Sequence, residues 1–277
     1  MKKIACIIAV FFASYVSASG NDIDSSTTTA YDESNIIHFA VSEAPPMMSK
    51  DLPEGGFLPK VFSKALALEG YRATYDFFPS KRAQTLVQRG DYEAYAAGNK
   101  NKFNDNHFYY SMPIGKAELV VFHLKEKPFH WKTYEDFEGL IIANFYNTKA
   151  LNEKFIEAAD THNFFLSQAT SFQTGLKQLL SGKVDIYITF KAMGLHAINT
   201  MFPKDQRDKI TYHPKPLSFM NHYVLFHKRE GAQRKIDIFN SGMRKMVQSG
   251  EYKTMIEEAF PFTVKDDISS KAIEDMK

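Results

Sequence analysis

Few side chains in this 277-residue chain offer chemistry, and they are scattered. Glu43 follows a short apolar run, so it falls at the carboxyl edge of a strand, where open α/β sheets hold ligands. It serves there either as a hydrogen-bond acceptor or as a solvated loop acid. Arg82, in Pro79-Ser80-Lys81-Arg82-Ala83, falls in the first turn of a helix, where a cation opposes the helix dipole. An anionic ligand group meeting both that N-terminus and the guanidinium accounts for it, and so does a surface salt bridge. Thr148, after Asn147, is placed to cap another helix. Tyr146, Phe190 and Tyr223 are suited to stacking on a ring or sugar, or to core packing. Met47 and Phe57 would supply an apolar wall or ordinary core.

Reactive constellations are missing. The nine histidines show no His-Glu-x-x-His or comparable spacing, so no zinc site is expected. There is no Gly-x-Ser-x-Gly elbow and no phosphate-binding glycine loop, so neither cofactor nor catalytic residue is assigned. The single cysteine is Cys6, so the chain beyond residue 18 has no disulfide, thiolate ligand or cysteine nucleophile.

The elements that must position these residues alternate. Ile36-Ile37-His38-Phe39-Ala40-Val41 reads as a first strand, and Ser42-Glu43-Ala44-Pro45-Pro46-Met47 as a loop. Residues 57–69 read as an amphipathic helix with Leu58, Val61, Phe62, Ala65 and Leu66 on one face, stopped at Gly70. Residues 71–78 form a strand, a helix follows with Ser80 as its N-cap, and residues 92–97 form a third strand. This β-α-β-α-β order is the mark of a parallel sheet. Residues 98–107 carry no clear helix, and a strand follows at 118–124.

A second unit repeats the pattern. Strands fall at 140–143, 184–190 and 210–213, with helices from Thr148, from Thr170 and over 191–201. Leu86-Val87-Gln88-Arg89-Gly90-Asp91-Tyr92-Glu93-Ala94 and Leu179-Leu180-Ser181-Gly182-Lys183-Val184-Asp185-Ile186-Tyr187 are two copies of one phrase: a helix end, a glycine stop and a strand. Two such units predict two similar lobes, and a cleft between α/β lobes is a common ligand site. Tyr223-Val224-Leu225-Phe226 is one more strand, followed by a helix carrying Ile236, Phe239, Met243 and Met246.

The amino terminus reads as a secretory signal peptide: Lys2 and Lys3, an apolar stretch, then Val16-Ser17-Ala18 with cleavage after Ala18. Residues 19–34 form a polar leader and 263–277 a polar tail. Removing Lys2 and Lys3 from the 34 basic residues leaves 32, the number of acidic ones, and this balance argues against a nucleic-acid or anionic-membrane binder.

The chain resembles the type II periplasmic solute-binding proteins, in particular the polar-amino-acid receptors of ABC importers (family 3). The carriers are Ala40-Val41-Ser42-Glu43-Ala44-Pro45-Pro46, Gly56-Phe57, Gly90-Asp91-Tyr92-Glu93-Ala94, Phe108-Tyr109-Tyr110-Ser111-Met112-Pro113, Phe137-Glu138-Gly139-Leu140-Ile141-Ile142 and Gly182-Lys183-Val184-Asp185, in that order. The resemblance implies an α/β, two-lobe periplasmic-binding-protein-like fold, each lobe a mostly parallel sheet flanked by helices. Lobe 1 would be 35–118 with 222–262, and lobe 2 would be 119–221, joined by crossing strands near 117–124 and 219–226. It implies a monomer in the periplasm that captures a small polar ligand and delivers it to an inner-membrane ABC permease. A sensing module for a membrane signalling protein is the alternative, and a dehydratase-like enzyme a more distant one.

The resemblance also marks departures. The family's carboxylate-binding arginine stands seven residues before the serine of the Phe-Ser-x-Pro-like motif. Here that serine is Ser111, and the position holds Asn104. A gap in the alignment would shift the count and let Lys100 or Lys102 supply the cation; Asn99 beside them is a further candidate ligand contact. The family's amine-binding aspartate follows the Gly-x-Val-Asp strand, where this chain has Thr189 and Phe190. The turn at Asn147-Thr148 is one the family uses to hold a ligand anion or hydroxyl. Both charged clamps of an amino-acid receptor are therefore missing from a receptor-like scaffold.

Overall fold

The computed structural model describes residues 33–144, 151 and 153–261. The signal peptide, nearly all of the leader, and the tail lie outside the described residues. Among the described residues nine strands form one mixed sheet. They are β1 (Ile36–Ser42), β2 (Arg72–Phe78), β3 (Ala94–Gly98), β4 (Phe108–Leu124), β5 (Ile141–Asn144), β6 (Phe165–Gln168), β7 (Ile186–Phe190), β8 (Ile210–Tyr212) and β9 (Ser218–His227). Their order is β2-β1-β3-β9-β4-β7-β5-β6, with β8 also paired to β4. The sequential β-α-β units are parallel, β1 with both β2 and β3, and β5 with both β6 and β7.

The helices are α1 (Phe57–Ala67), α2 (Ser80–Arg89), α3 (Lys102–His107), α4 (Glu153–Thr161), α5 (Phe172–Leu180), α6 (Lys191–Met201), α7 (Lys204–Arg207), α8 (Ala232–Ser249) and α9 (Glu251–Ala259). The predicted periodicity of α1 is met: Leu58, Val61, Phe62, Ala65 and Leu66 are all buried. Gly90 and Gly182 both have positive φ, 85° and 69°, so each copy of the repeated phrase turns through the left-handed region that glycine tolerates.

Two buried clusters dominate. One joins residues from 37 to 114 with residues from 224 to 260, and includes Phe39, Phe62 and Phe239. The other lies entirely between 119 and 217. Its centre is aromatic: Phe137 meets Phe155 edge-on at 5.2 Å and Phe129 at 5.1 Å. A small third cluster, with Ala83 and Val87 of α2 and Tyr95, covers the other face of the first half of the sheet. The antiparallel pair β4 and β9 runs from one main cluster to the other, with Glu118 opposite Phe219 and Tyr109 opposite Phe226.

Local readings depart from the structure at several points. Residues 98–107, read as irregular, contain α3, whose N-cap Asn101 accepts the Asn104 backbone N–H at 2.9 Å. Ser80 is the first residue of α2 rather than its cap; Pro79 holds the cap position and offers no hydroxyl. Helix α5 begins at Phe172, two residues after the predicted start at Thr170, and its cap Ser171 accepts the Thr174 N–H at 3.0 Å. Strand β4 begins at Phe108, ten residues before the predicted start, because its first half pairs with β9.

Candidate functional site

A cavity of about 490 Å³ opens where the two main clusters approach each other along β4 and β9. That volume is within the range of small-molecule sites. Residues of the first cluster, among them Met48, Phe57, Leu58, Ile114, Tyr252, Ile256 and Phe260, form one wall. Phe190 and Met193 of the second cluster form the other. Gly115, Lys116 and Ala117 of β4, and Met220 and His222 of β9, lie between them.

The loop after β1 brings Glu43, Ala44, Met47 and Met48 to the cavity. It is closed by Ala44 N–H to Met48 O at 2.8 Å and Met48 N–H to Ala44 O at 3.1 Å. Leu58 N–H then donates to Met47 O at 2.9 Å, which joins this loop to the start of α1. Glu43 is exposed, and its Oε1 accepts the Lys50 N–H at 3.3 Å. At the end of β3, Ala97, Gly98 and Asn99 reach the cavity. A Cβ on Gly98 would lie 2.3 Å from Leu225 Cδ1, so β3 approaches β9 too closely for a side chain there.

Polar groups at the cavity are sparse and mostly engaged. Ser42 Oγ and the Tyr95 hydroxyl share a hydrogen bond of 3.1 Å. The buried Tyr252 hydroxyl donates to Ile114 O at 2.5 Å, and burial raises its pKa. Lys116 Nζ stands 5.0 Å from the centre of the Phe219 ring. His222 meets the Phe190 ring edge-on at 6.0 Å. Burial pushes the His222 imidazole down to about 4, against a partial rise from its bond to the Met220 backbone, so the ring is neutral at pH 7. Behind the cavity, Lys191 Nζ and a Glu118 oxygen are 3.5 Å apart with side chains only 6% and 15% exposed.

Of the residues singled out by sequence, Glu43, Met47, Phe57, Asn99 and Phe190 line this cavity. Arg82 does not: it is exposed, with its guanidinium 5.4 Å from the centre of the Phe78 ring. Lys100 is also outside the lining, 4.8 Å from the Tyr223 ring and 5.4 Å from the Tyr110 ring. Tyr223 belongs to that aromatic pair. Asn104 is buried, and its Nδ2 donates to Asn99 O at 2.7 Å. Ser111 Oγ donates to Met112 O at 2.6 Å and accepts the Val224 N–H at 3.0 Å. Both are thus tied into the scaffold. Tyr146, Asn147 and Thr148 lie outside the described residues.

Sequence reading missed Gln84, Tyr95, Lys116, Met193, Met220, His222 and the α9 face of Tyr252, Ile256 and Phe260. The α9 face had a signal, its four-residue spacing, but that spacing reads as core. Lys116 and His222 had none, since only the pairing of β4 with β9 brings them together, with Gly115 opposite His222.

No family model and no curated protein matches the chain. Solved structures do. A probable amino-acid ABC transporter extracellular-binding protein, ytmK from Bacillus subtilis, is similar at 16% identity and a TM-score of 0.69, over 82% of this chain and 98% of that one. The GluR0 ligand-binding core from Nostoc punctiforme, solved in complex with L-glutamate, is similar at 14% identity and a TM-score of 0.63, over 81% and 99%. A histidine kinase sensor domain with similarity to periplasmic binding proteins follows at 12% identity and a TM-score of 0.65, over 81% and 95%. The chain therefore has the two-lobe α/β fold of the type II periplasmic binding proteins, and these neighbours are binding proteins rather than enzymes. No helix among the described residues is long and apolar enough to cross a membrane.

Proposed function

We propose that this protein is a periplasmic solute-binding protein. It captures a small molecule between lobe 1 (35–118 with 222–262) and lobe 2 (119–221), closes on it by a hinge motion at the crossing strands, and delivers it to an ABC permease. The observation that carries this reading is the cavity itself, which takes its lining from both buried clusters and from the two strands that join them. Glu43, Met47, Phe57, Asn99 and Phe190 are the ligand contacts it favours among those read from sequence. The protein acts as a monomer after cleavage behind Ala18. A sensing role is the second reading, supported by the likeness to a kinase sensor domain.

A ligand that binds only the folded protein raises its melting temperature. A thermal-shift screen with amino acids, organic acids, amines and short saccharides should find a stabiliser that also protects the crossing strands from hydrogen exchange. A screen in which no class shifts the melting temperature overturns the binding reading. Turnover of the stabilising compound would place the protein among enzymes instead.

A further inference from the structure

We propose that the cavity takes an uncharged molecule with a compact apolar body and one neutral polar group at its end. This deepens the ligand-binding reading above and rests on it, and it departs from the polar ligand that the resemblance implies.

The body follows from the walls. Phe57, Leu58, Ile256 and Phe260 on one side, and Phe190 and Met193 on the other, are all buried and all line the cavity. The Phe57 and Phe260 rings meet edge-on at 5.0 Å, so the first wall is itself a packed apolar surface. The loop after β1 closes a third side: Ala44 and Met47 pack against both main clusters and so join the two walls. Water held against apolar walls lacks hydrogen-bond partners, so a ligand that displaces it gains the burial of its own apolar surface. Met47, Met48, Met193 and Met220 add four unbranched, polarizable thioethers, which adapt to the outline of a ring or a branched chain.

Neutrality follows from where the charges are. A charged group carried into such a site needs a counter-charge that shares its burial. The charged groups at and behind the described lining are engaged elsewhere. Glu43 is exposed and accepts the Lys50 N–H. In the β4–β9 ladder Ala117 pairs with Met220 and Gly115 with His222, and all four line the cavity. Side chains alternate along a strand, so the intervening pair, Lys116 and Asn221, directs its side chains to the far face. There the Lys116 ammonium stands 5.0 Å from the centre of the Phe219 ring. Lys191 is paired with Glu118. The His222 ring is neutral at pH 7 and already bonded to the Met220 backbone.

The polar end follows from Gln84. The Ser42, Tyr95 and Tyr252 hydroxyls are occupied, Ser80 is exposed, and Asn99 Oδ1 accepts Asn101 Nδ2 at 3.3 Å. Gln84 lines the cavity from α2, is half-buried, and makes no side-chain hydrogen bond to another described residue. A carboxamide both donates and accepts, so it matches a hydroxyl, carbonyl or amide and calls for no charge on the ligand.

Isothermal titration and thermal shift on the full chain test this. The probes share an aromatic body. 3-Phenylpropanol and 3-phenylpropionamide are neutral with one polar end, and ethylbenzene has none. 3-Phenylpropionate and 3-phenylpropylamine are charged, and L-phenylalanine is a zwitterion. D-Glucose is neutral but polar throughout. The alcohol and the amide should bind best, with a negative heat-capacity change, and raise the melting temperature by roughly 5–10 °C at about 100-fold above their Kd. The carboxylate, the amine and L-phenylalanine should each bind at least about 10-fold more weakly, and glucose should give no shift. Gln84→Met keeps the length of the side chain and should lower the affinity for the amide relative to ethylbenzene about 5-fold. Preference for the carboxylate, the amine or the zwitterion overturns the inference but leaves a ligand-binding cleft, as does a saccharide or a charged compound as the best stabiliser of the wider screen. An unchanged ratio of amide to ethylbenzene in Gln84→Met also overturns it. No binding by any probe or by any class in the wider screen overturns both the inference and the cleft.

Discussion

The two copies of the helix–glycine–strand phrase end differently at the same cavity. The first runs from α2 through Gly90 into β3 and ends in Ala97, Gly98 and Asn99, small or polar groups that leave the backbone open to the cavity. The second runs from α5 through Gly182 into β7 and ends in Phe190, whose ring closes its side. Beyond the first copy Lys100 is exposed on an aromatic pair. Beyond the second Lys191 is buried against Glu118. One repeated scaffold thus supplies an adaptable half and a locked, apolar half. The lesson is that the phrase fixes where a strand ends but not what its end offers to a ligand.

The largest expected effect breaks the lock. Glu118→Gln leaves the Lys191 ammonium in its low-dielectric site without its carboxylate, and should cost about 3 kcal/mol of stability in urea unfolding. The corresponding change in the first copy, Lys100→Gln, should cost less than about 1 kcal/mol, because Lys100 is exposed. Equal costs would erase the contrast. Gly98→Ala comes next. Its methyl would meet the fully buried Leu225, so overpacking should cost about 2 kcal/mol and weaken ligand binding by shifting β3 against β9. Unchanged stability would show that β9 yields.

The smallest effect concerns His222, which packs against the end of the second copy. Its pKa is about 4 in the folded protein against 6.5 ordinarily. Between those values the unfolded chain binds more protons, so stability rises with pH and is lost as pH falls from 6.5 towards 4. His222→Gln should remove about 1 kcal/mol of that loss at pH 5.5, measured as a flatter dependence of melting temperature on pH. An unchanged slope would mean that the ring ionises freely.

Much of the architecture was legible because it is written locally. The α1 stripe and the glycine stops of α2, α5 and α8 depend on residues within one or two turns of each other. What escaped lacked such a signal. Helix α3 has six residues, and Asn104 is its single buried one. Strand β6 lies at the sheet edge and leaves Phe165 63% exposed, so no inward face patterns its sequence. Arg82, Asn104 and Ser111 stand outside the cavity lining for a different reason. Each has the right chemistry for a ligand, but the fold turns Arg82 to solvent and occupies Asn104 and Ser111 with backbone partners.

By itself the sequence determined the alternation of strands and helices and their stops, because periodicity and turn chemistry act between near neighbours. Only the tertiary structure decided the cavity. Its lining is drawn from the loop after β1, the starts of α1, α2 and α6, the ends of β3 and β7, the middle of β4 and β9, and one face of α9. Tyr252, Ile256 and Phe260 show why: hydrophobic spacing reports that a side chain turns away from water, and whether it then meets core or ligand depends on residues more than a hundred positions away.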